Sequence, residues 1–196
     1  MHVKFGIIVF GLAIVFGPFY SVENYSIVSN TVSELGAQAT KNNIIAILGF
    51  IAFGSGVIIE WFRQPSKNTL PFLFFGTFMI LAGILPHKPI DSSLSYSTTT
   101  DQLHSLMASA SGIAITIGFL WSGIRSPRAK MRMFSFYMAI ICVTLPLIML
   151  ATPKYQGIIQ RLMYFQVFAW LWFFYPKYSQ QHLSCSLHEN HTRSPL

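Results

Sequence analysis

The chain has 196 residues, of which 53% are hydrophobic and only 10% are charged, and its formal net charge is +7. A water-soluble domain carries roughly 25% charged residues to cover its surface, so this composition excludes an ordinary soluble protein. The sequence therefore predicts an integral membrane protein built as one compact unit, and nucleic acid is not an expected partner.

Six apolar stretches alternate with polar or proline-rich breaks, and their lengths suit helices that cross a bilayer. A crossing helix needs about 20 residues, and lipid offers no partner to exposed backbone groups, so helices are expected in the absence of a strand-like alternation. We predict an all-α bundle of six transmembrane helices within residues 1–176. The predicted helices lie at about residues 5–20, 44–62, 70–85, 103–124, 133–151 and 158–175.

Lysine and arginine are unequally divided between the two ends of these helices. If the N-terminus is cytoplasmic, nine of the 13 basic residues fall on the cytoplasmic side and four on the other. Because basic residues favour the cytoplasmic side, both termini are predicted there, in the cytoplasmic (inner) membrane. Residues 125–132 are expected to contact anionic headgroups. The polar residues 177–196 are predicted to form a disordered cytoplasmic tail.

The first connection, residues 20–43, is the longest loop on the non-cytoplasmic side. Within it, Thr31 and Glu34 have the spacing of a capping box, which predicts a short helix at the membrane surface. Gly36 is placed to end that helix or to allow close packing. In the alternative interpretation, Ser33 and Glu34 line a ligand pocket.

The second non-cytoplasmic loop starts at Pro86, carries Asp91 and leads into the fourth predicted helix. Asp101, His104 and Ser111 have spacings that place them on one face of this helix. One interpretation is structural, since an acidic residue stabilises the positive end of a helix dipole. The other is functional, because an ionisable residue inside a membrane is a candidate for a functional role.

The last predicted helix carries an arginine near its non-cytoplasmic start. Arg161 is on the unfavourable side for topology and at the unfavourable end of the helix dipole, so we expect it to pair with a carboxylate. The candidate partners are Glu34, Asp91 and Asp101. Gln160 and Tyr164 would flank the same site. Pro146 is expected to kink the fifth helix and to open space beneath this site.

Several segments of the chain resemble a known family. These segments are Tyr20-Ser21, Asn30-Thr31-Val32-Ser33-Glu34-Leu35-Gly36-Ala37, residues 86–91, His104 and Gly157…Gln160-Arg161. From about residue 5 to about residue 175, the chain resembles domain-of-unknown-function family 998, six-helix membrane proteins found mostly in prokaryotes. Glu34 stands where aspartate is commoner in that family, which keeps the charge. Because the family has no established reaction, the resemblance implies the fold and topology rather than an activity.

The balanced charges at one end of an apolar bundle favour a pocket for a lipid or another amphiphile in the outer leaflet. The candidate pocket residues are Ser33, Glu34, Asp91, Asp101, His104, Ser111, Gln160, Arg161 and Tyr164. Membrane lipids are the expected partners, no cofactor is expected, and the sequence leaves the oligomeric state open.

Two alternatives remain. One is a metal-dependent intramembrane hydrolase in which His87, Asp91 and His104, or Asp101 in place of Asp91, hold a zinc ion with an open position for water. Alkaline ceramidases, which the chain resembles distantly in its first loop, have three zinc-binding histidines and a paired HxxxH that this sequence lacks. The other is a structural or interaction protein, in which ion pairs only stabilise the bundle.

Overall fold

The structure is a computed structural model, and it describes residues 2–21 and 25–175. Within these ranges the secondary structure is helical, so the predicted all-α class is confirmed. The helices are α1 His2–Tyr20, α2 Val32–Leu35, α3 Ile44–Arg63, α4 Leu70–Ile84, α5 Thr98–Arg125, α6 Ala129–Ala151 and α7 Gln156–Phe173. Short 3₁₀ turns, Lys67–Thr69 and Pro153–Tyr155, precede α4 and α7. The predicted disordered tail, residues 177–196, lies outside the described residues.

Several helices are long and apolar enough to cross a membrane. They are α1, α3, α5, α6 and the segment Lys67–Ile84, which combines a 3₁₀ turn with α4. Helix α7 has a similar length, 18 residues. It is less apolar because it carries three glutamines and Arg161. The chain is therefore a helical membrane protein, while the count of six spans and the orientation stay predictions.

The helix boundaries differ from the predicted ones where a polar turn precedes an apolar run. Helix α5 begins at Thr98, ahead of the predicted start at residue 103. The hydroxyl of Ser97 accepts a hydrogen bond from the Thr100 amide and caps this first turn. Such a cap satisfies a helix amide without any contribution from hydropathy, so an apolar pattern does not detect it.

Consecutive long helices pack against each other, and α1 also contacts α7, which closes the bundle. Glycines allow the backbones of α3 and α4 to approach closely. A Cβ atom on Gly54 would lie 2.4 Å from the carbonyl oxygen of Gly76. On the other side of α3, a Cβ atom on Gly56 would lie 2.7 Å from the carbonyl oxygen of His2 in α1. Small residues at helix interfaces are the usual means of close packing in membranes.

The core is built from aromatic side chains. The ring centroids of Phe53 and Phe168 are 5.0 Å apart in an edge-to-face arrangement, and Phe72 stacks on Trp170 at 5.0 Å. These contacts join α3, α4 and α7. Helix α6 contributes less to the core, since only four of its residues are buried, and in the described part of the chain its main packing partners are α5 and α7. The interior beside α6 is consequently less filled.

Candidate functional site

The α1–α3, α4–α5 and α6–α7 connections lie at one end of the bundle, which we call the loop end. Hydrogen bonds join the first connection to the second and to the start of α7. Gln38 of the first connection spans to the second. Its amide nitrogen donates to the carbonyl oxygens of Pro86 and Ser97 at 3.1 Å each, and its amide oxygen accepts from the Ser97 backbone at 2.8 Å. Gln38 was not predicted from the sequence, in which its only signal is a polar residue just after the Asn30–Ala37 segment.

Arg161 is buried at the loop end, with 7% of its surface exposed. Its Nη1 atom donates to the carbonyl oxygens of Ile27 and Asn30 at 3.0 Å and of Gly157 at 2.9 Å. Its Nη2 atom donates to the Tyr25 hydroxyl at 2.7 Å. We call these five residues the Arg161 cluster. The cluster attaches the first loop to the start of α7 through charge-assisted hydrogen bonds.

The predicted pairing of Arg161 with a carboxylate is wrong for the candidates that were named. Within the described residues, no acidic side chain forms an ion pair with Arg161. Glu34 instead accepts hydrogen bonds from the backbone and the hydroxyl of Thr31. Glu34 caps its own short helix, which requires only neighbouring residues. The guanidinium of Arg161 instead faces the carbonyl oxygens of Ile27 and Asn30. Neutral oxygens therefore satisfy the buried charge.

The predicted capping box is present in α2. The Thr31 hydroxyl accepts from the Glu34 amide at 3.3 Å while the Glu34 carboxylate accepts from the Thr31 amide. A further amide of this first turn, on Val32, donates to the side-chain oxygen of Gln160 at 2.5 Å. Ser33 is buried in the same short helix. The start of α2 thus binds α7 through Gln160, and Glu34 has a structural role as a helix cap.

Gly157 makes the docking of the first loop on α7 possible. A Cβ atom at this position would lie 2.4 Å from the carbonyl oxygens of both Ile27 and Asn30. Gly157 and Arg161 are one helical turn apart. Gly157 leaves room for the backbone of the first loop, and Arg161 binds the carbonyl groups of that loop. Tyr25 and Gly157 were not among the predicted site residues. Gly157 had entered only through the family resemblance of the Gly157…Gln160-Arg161 segment.

A second polar cluster lies where α4 ends and α5 begins. His104 is buried, and its Nδ1 atom lies 2.9 Å and 2.7 Å from the carbonyl oxygens of Ala82 and Leu85. Because both partners are acceptors, Nδ1 carries the proton. The ring of His87 stacks on His104 with 5.2 Å between centroids and 18° between planes. His104 therefore joins the end of α4 to α5.

Asp101 completes this arrangement, which we call the histidine cluster (His87, Asp101 and His104). Its carboxylate bonds to Nδ1 of His87 and accepts from the backbone amide of Lys88 at 2.9 Å. It also lies in the first turn of α5, where a negative charge suits the helix dipole. Asp101 and His104 are brought together as predicted from their spacing, and both bind the α4–α5 loop.

Asp91, the third predicted metal ligand, lies apart from the histidine cluster. Its carboxylate accepts from the backbone and the hydroxyl of Ser93 at 2.9 and 2.7 Å, and these bonds lower the pKa of Asp91. Among the residues that the structure describes, no three or more histidine, cysteine or acidic side chains are grouped to hold a metal ion. The zinc hypothesis, with either Asp91 or Asp101 beside His87 and His104, thus lacks an assembled ligand set in the described part of the chain.

A cavity of about 490 Å³ lies beneath the loop end, chiefly between α5, α6 and α7, and we call it the central cavity. Its walls are mostly apolar. Ser111, Gln160 and Tyr164, three of the predicted site residues, line it, as does Pro146. Gln160 thus contacts the cavity and also binds α2 through its side-chain oxygen.

Gln166 is a further polar residue of the central cavity, and it was not predicted from the sequence. Its amide nitrogen donates to the sulfur of Cys142 at 3.2 Å. Its buried amide oxygen has no hydrogen-bond partner among the described residues. A buried acceptor without a donor costs about 1–3 kcal/mol, so this oxygen is available to a ligand that carries a donor.

The rim of the central cavity faces the apolar exterior of the bundle. Ile113 of α5 and Val143 of α6 line the cavity and are 63% and 52% exposed. Exposed apolar side chains on membrane-crossing helices contact lipid tails, since lipid is the solvent of that surface. The cavity is therefore accessible from the side, between α5 and α6.

The structure distributes the predicted site residues over four places. The cavity holds Ser111, Gln160 and Tyr164; the first loop and its contact with α7 hold Ser33, Glu34 and Arg161; the histidine cluster holds Asp101 and His104; and Asp91 lies alone on the surface. Only Gln160 connects two of these places.

The helical fold and the apolar exterior define the class of this molecule, a membrane protein with several helices. Over residues 5–174 the sequence matches the family described as "Protein of unknown function (DUF998)", so the chain belongs to this family and the resemblance noted from its motifs is confirmed. No curated protein and no solved structure matches the chain.

Proposed function

We propose that this protein binds a lipid or another amphiphile in the central cavity. One observation carries the proposal: an apolar cavity contains a buried amide oxygen, on Gln166, that has no partner among the described residues. Small-molecule sites are typically apolar clefts of about 300–1,000 Å³ with a few placed polar groups. The cavity, at about 490 Å³, falls within that range.

The accessibility of the cavity favours an amphiphile over a water-soluble ligand. Its exposed rim residues, Ile113 and Val143, are apolar. A ligand that enters from the side must first dissolve in the bilayer. An amphiphile dissolves there, and its hydrogen-bond donor would reach Gln166 while its apolar part contacts the walls. Ser111 and Tyr164 are candidates for further polar contacts.

The same proposal includes an orientation. We place α7 as a sixth span and both termini in the cytoplasm, so the loop end faces outward and the cavity opens toward the outer leaflet of the cytoplasmic membrane. The excess of lysine and arginine at the opposite end supports this orientation. The Arg161 cluster then has a supporting role, because it fixes the start of α7 and with it Gln160 at the top of the cavity.

The test fills the cavity without disturbing its walls. Gly112 lines the cavity, and a Cβ atom there would meet nothing within 4 Å, so leucine at this position should project into open space. Gly11 in α1 is the matched control, since its Cβ position is equally open but lies outside the cavity. Wild-type protein, Gly112→Leu and Gly11→Leu are purified in mild detergent, and bound amphiphiles are identified by native mass spectrometry and lipid analysis.

We expect one class of amphiphile to co-purify with the wild type and with Gly11→Leu, and to be lost from a folded Gly112→Leu variant. Equal occupancy in all three proteins, or no selective co-purification with any, would refute the proposal. A Gln166→Leu variant adds a second measurement. It should retain the fold and lose selectivity for amphiphiles that carry a hydrogen-bond donor.

A second candidate function, an interaction protein without its own ligand, is favoured by one observation. Within the described residues, the hydrogen bonds of Arg161 go to backbone carbonyl oxygens and to the Tyr25 hydroxyl, so this charge stabilises the fold. The co-purification experiment separates the two candidates, because this one requires that no amphiphile is held selectively in the cavity.

A further inference from the structure

A second apolar groove, the α4–α5 groove, lies on the outer surface of the bundle. Its volume is about 540 Å³. Phe74 and Phe78 of α4 form one wall and stack on each other at 6.4 Å, while Ala110 and Ala114 of α5 face it with small side chains. Aromatic side chains opposite alanines leave an elongated furrow, and its surface is almost entirely apolar.

The polar residues of the groove gather at one end. Lys67 and Trp121 line this end, away from the loop end, and the Trp121 indole nitrogen donates to the side-chain oxygen of Asn68 at 3.1 Å. The guanidinium of Arg125 lies over the Trp121 ring at 5.2 Å. Tryptophan is typical of the level of the lipid headgroups. This end of the groove is therefore placed where a headgroup would lie.

Two positive charges, those of Lys67 and Arg125, lie at this end of the groove. Lys67 and Arg125 are exposed. Neither forms an ion pair with an acidic side chain in the described part of the chain. An anionic group that binds beside Trp121 would lie close to Arg125, and Lys67 lines the same end of the groove. The structure thus combines an apolar furrow with a cationic end, which is the complement of a lipid with an apolar chain and a negative headgroup.

We propose that the α4–α5 groove binds an anionic phospholipid, with an acyl chain along Phe74 and Phe78 and the phosphate between Lys67 and Arg125. Charge complementarity decides between this occupant and a second copy of the chain, because two copies joined through this face would bring like charges together. The groove and the central cavity lie on either side of Ile113 and Ile117, so this inference does not rest on the proposed function.

The experiment compares two lipids that differ only in the headgroup, which is anionic in one and zwitterionic in the other. The purified full-length protein is mixed with equal amounts of phosphatidylglycerol and phosphatidylcholine that have identical acyl chains, and the ratio of bound lipids is measured by native mass spectrometry. The variants are Lys67→Gln and Arg125→Gln. Lys4→Gln is the matched control, since it removes a positive charge at the same end but on α1 and outside the groove.

We expect the wild type to prefer phosphatidylglycerol and each groove variant to lower that preference about fivefold, the ratio that corresponds to about 1 kcal/mol per basic residue near an anionic lipid. The control should keep the wild-type ratio. Equal binding of the two lipids by the wild type, an equal loss in Lys4→Gln, or a dimer that covers the groove would each overturn the proposal. Gly112→Leu, which fills the central cavity, should keep the preference for phosphatidylglycerol. The groove proposal and the cavity proposal can therefore fail independently.

Discussion

At the scale of single residues, Arg161 shows how a buried charge is satisfied without an ion pair. Its planar guanidinium reaches three carbonyl oxygens through one nitrogen and the Tyr25 hydroxyl through another. Arginine is suited to this role because its donors point in fixed, diverging directions, whereas a lysine ammonium is a compact charge. The side chain therefore acts as a connector between the first loop and α7.

Arg161→Met should lower the free energy of unfolding by about 2–4 kcal/mol, because hydrogen bonds from a charged group contribute about 1.5–3 kcal/mol each and the carbonyl oxygens would stay buried. Arg161→Lys should recover only part of this loss. Thermal or denaturant unfolding in detergent measures both. Lys154→Met, which removes an exposed charge at the same end, is the control. Wild-type stability in Arg161→Met would contradict the structural role.

Tyr25 gives this cluster a dependence on alkaline pH. Burial raises the pKa of Tyr25 above its ordinary value of 10.0, although the Arg161 charge opposes that shift. A raised pKa means that the stabilisation is complete below pH 10 and is lost as the pH rises toward the folded-state value. We therefore expect the wild type to lose more stability than Tyr25→Phe between about pH 9 and about pH 11. Parallel losses, measured by thermal unfolding, would show that Tyr25 does not contribute.

At the scale of helices, packing is close on one side of the bundle and loose on the other. Helix α3 contacts α1 and α4 through glycines, while α6 buries few residues and borders the central cavity. Close backbone approach increases van der Waals contact, which is a main source of helix association in lipid. The loosely packed α6 is consistent with a cavity that opens between α5 and α6.

Gly54→Ala tests the close contact between α3 and α4. The added Cβ atom would lie 2.4 Å from a backbone oxygen of Gly76, which can move only if the helices separate. We expect a destabilisation of about 1–3 kcal/mol, typical of overpacking. Gly11→Ala makes the same change where the Cβ atom meets nothing within 4 Å. It should be neutral or stabilising by up to about 1 kcal/mol, because alanine favours helix. Equal effects in thermal unfolding would disprove the packing argument.

At the scale of the whole molecule, the two ends of the bundle differ in chemistry. At the loop end, hydrogen bonds of Gln38 join the first connection to the second, and those of Arg161 join the first connection to α7. The opposite end carries short basic turns with Lys67, Arg125 and Lys130. A membrane with anionic lipids on its cytoplasmic side would attract the basic end. The orientation with both termini inside follows if α7 is a sixth span.

Cysteine labelling tests this orientation. In a background that lacks Cys142 and Cys185, Ser92→Cys and Lys154→Cys are introduced at the loop end and Lys130→Cys at the basic end. A membrane-impermeant maleimide should label the first two in intact cells. It should label the third only after permeabilisation. Labelling of Ser92→Cys and Lys154→Cys only after permeabilisation would reverse the topology.

The extent of prediction differs between the fold and the candidate site. Helical class and most helix positions follow from hydropathy, as α3 shows, since its observed range Ile44–Arg63 nearly equals the predicted residues 44–62. The capping box of Thr31 and Glu34 was predicted because its partners are three residues apart. The partners of Arg161 were not predicted, since they include the carbonyl oxygens of Ile27 and Asn30, which are 134 and 131 residues away in sequence. Backbone acceptors carry no signature of residue type.

The sequence by itself determined that this chain is a helical membrane protein, because hydropathy and local capping depend on neighbouring residues. It also predicted that Gln160 and Tyr164 flank Arg161, because they lie close to it on one helix. Only the tertiary structure decided that Arg161 binds the first loop instead of a carboxylate, that the histidines join α4 to α5, and that a cavity lies beside α6. Those outcomes depend on how helices distant in sequence pack, and on which buried polar groups that packing leaves without a partner.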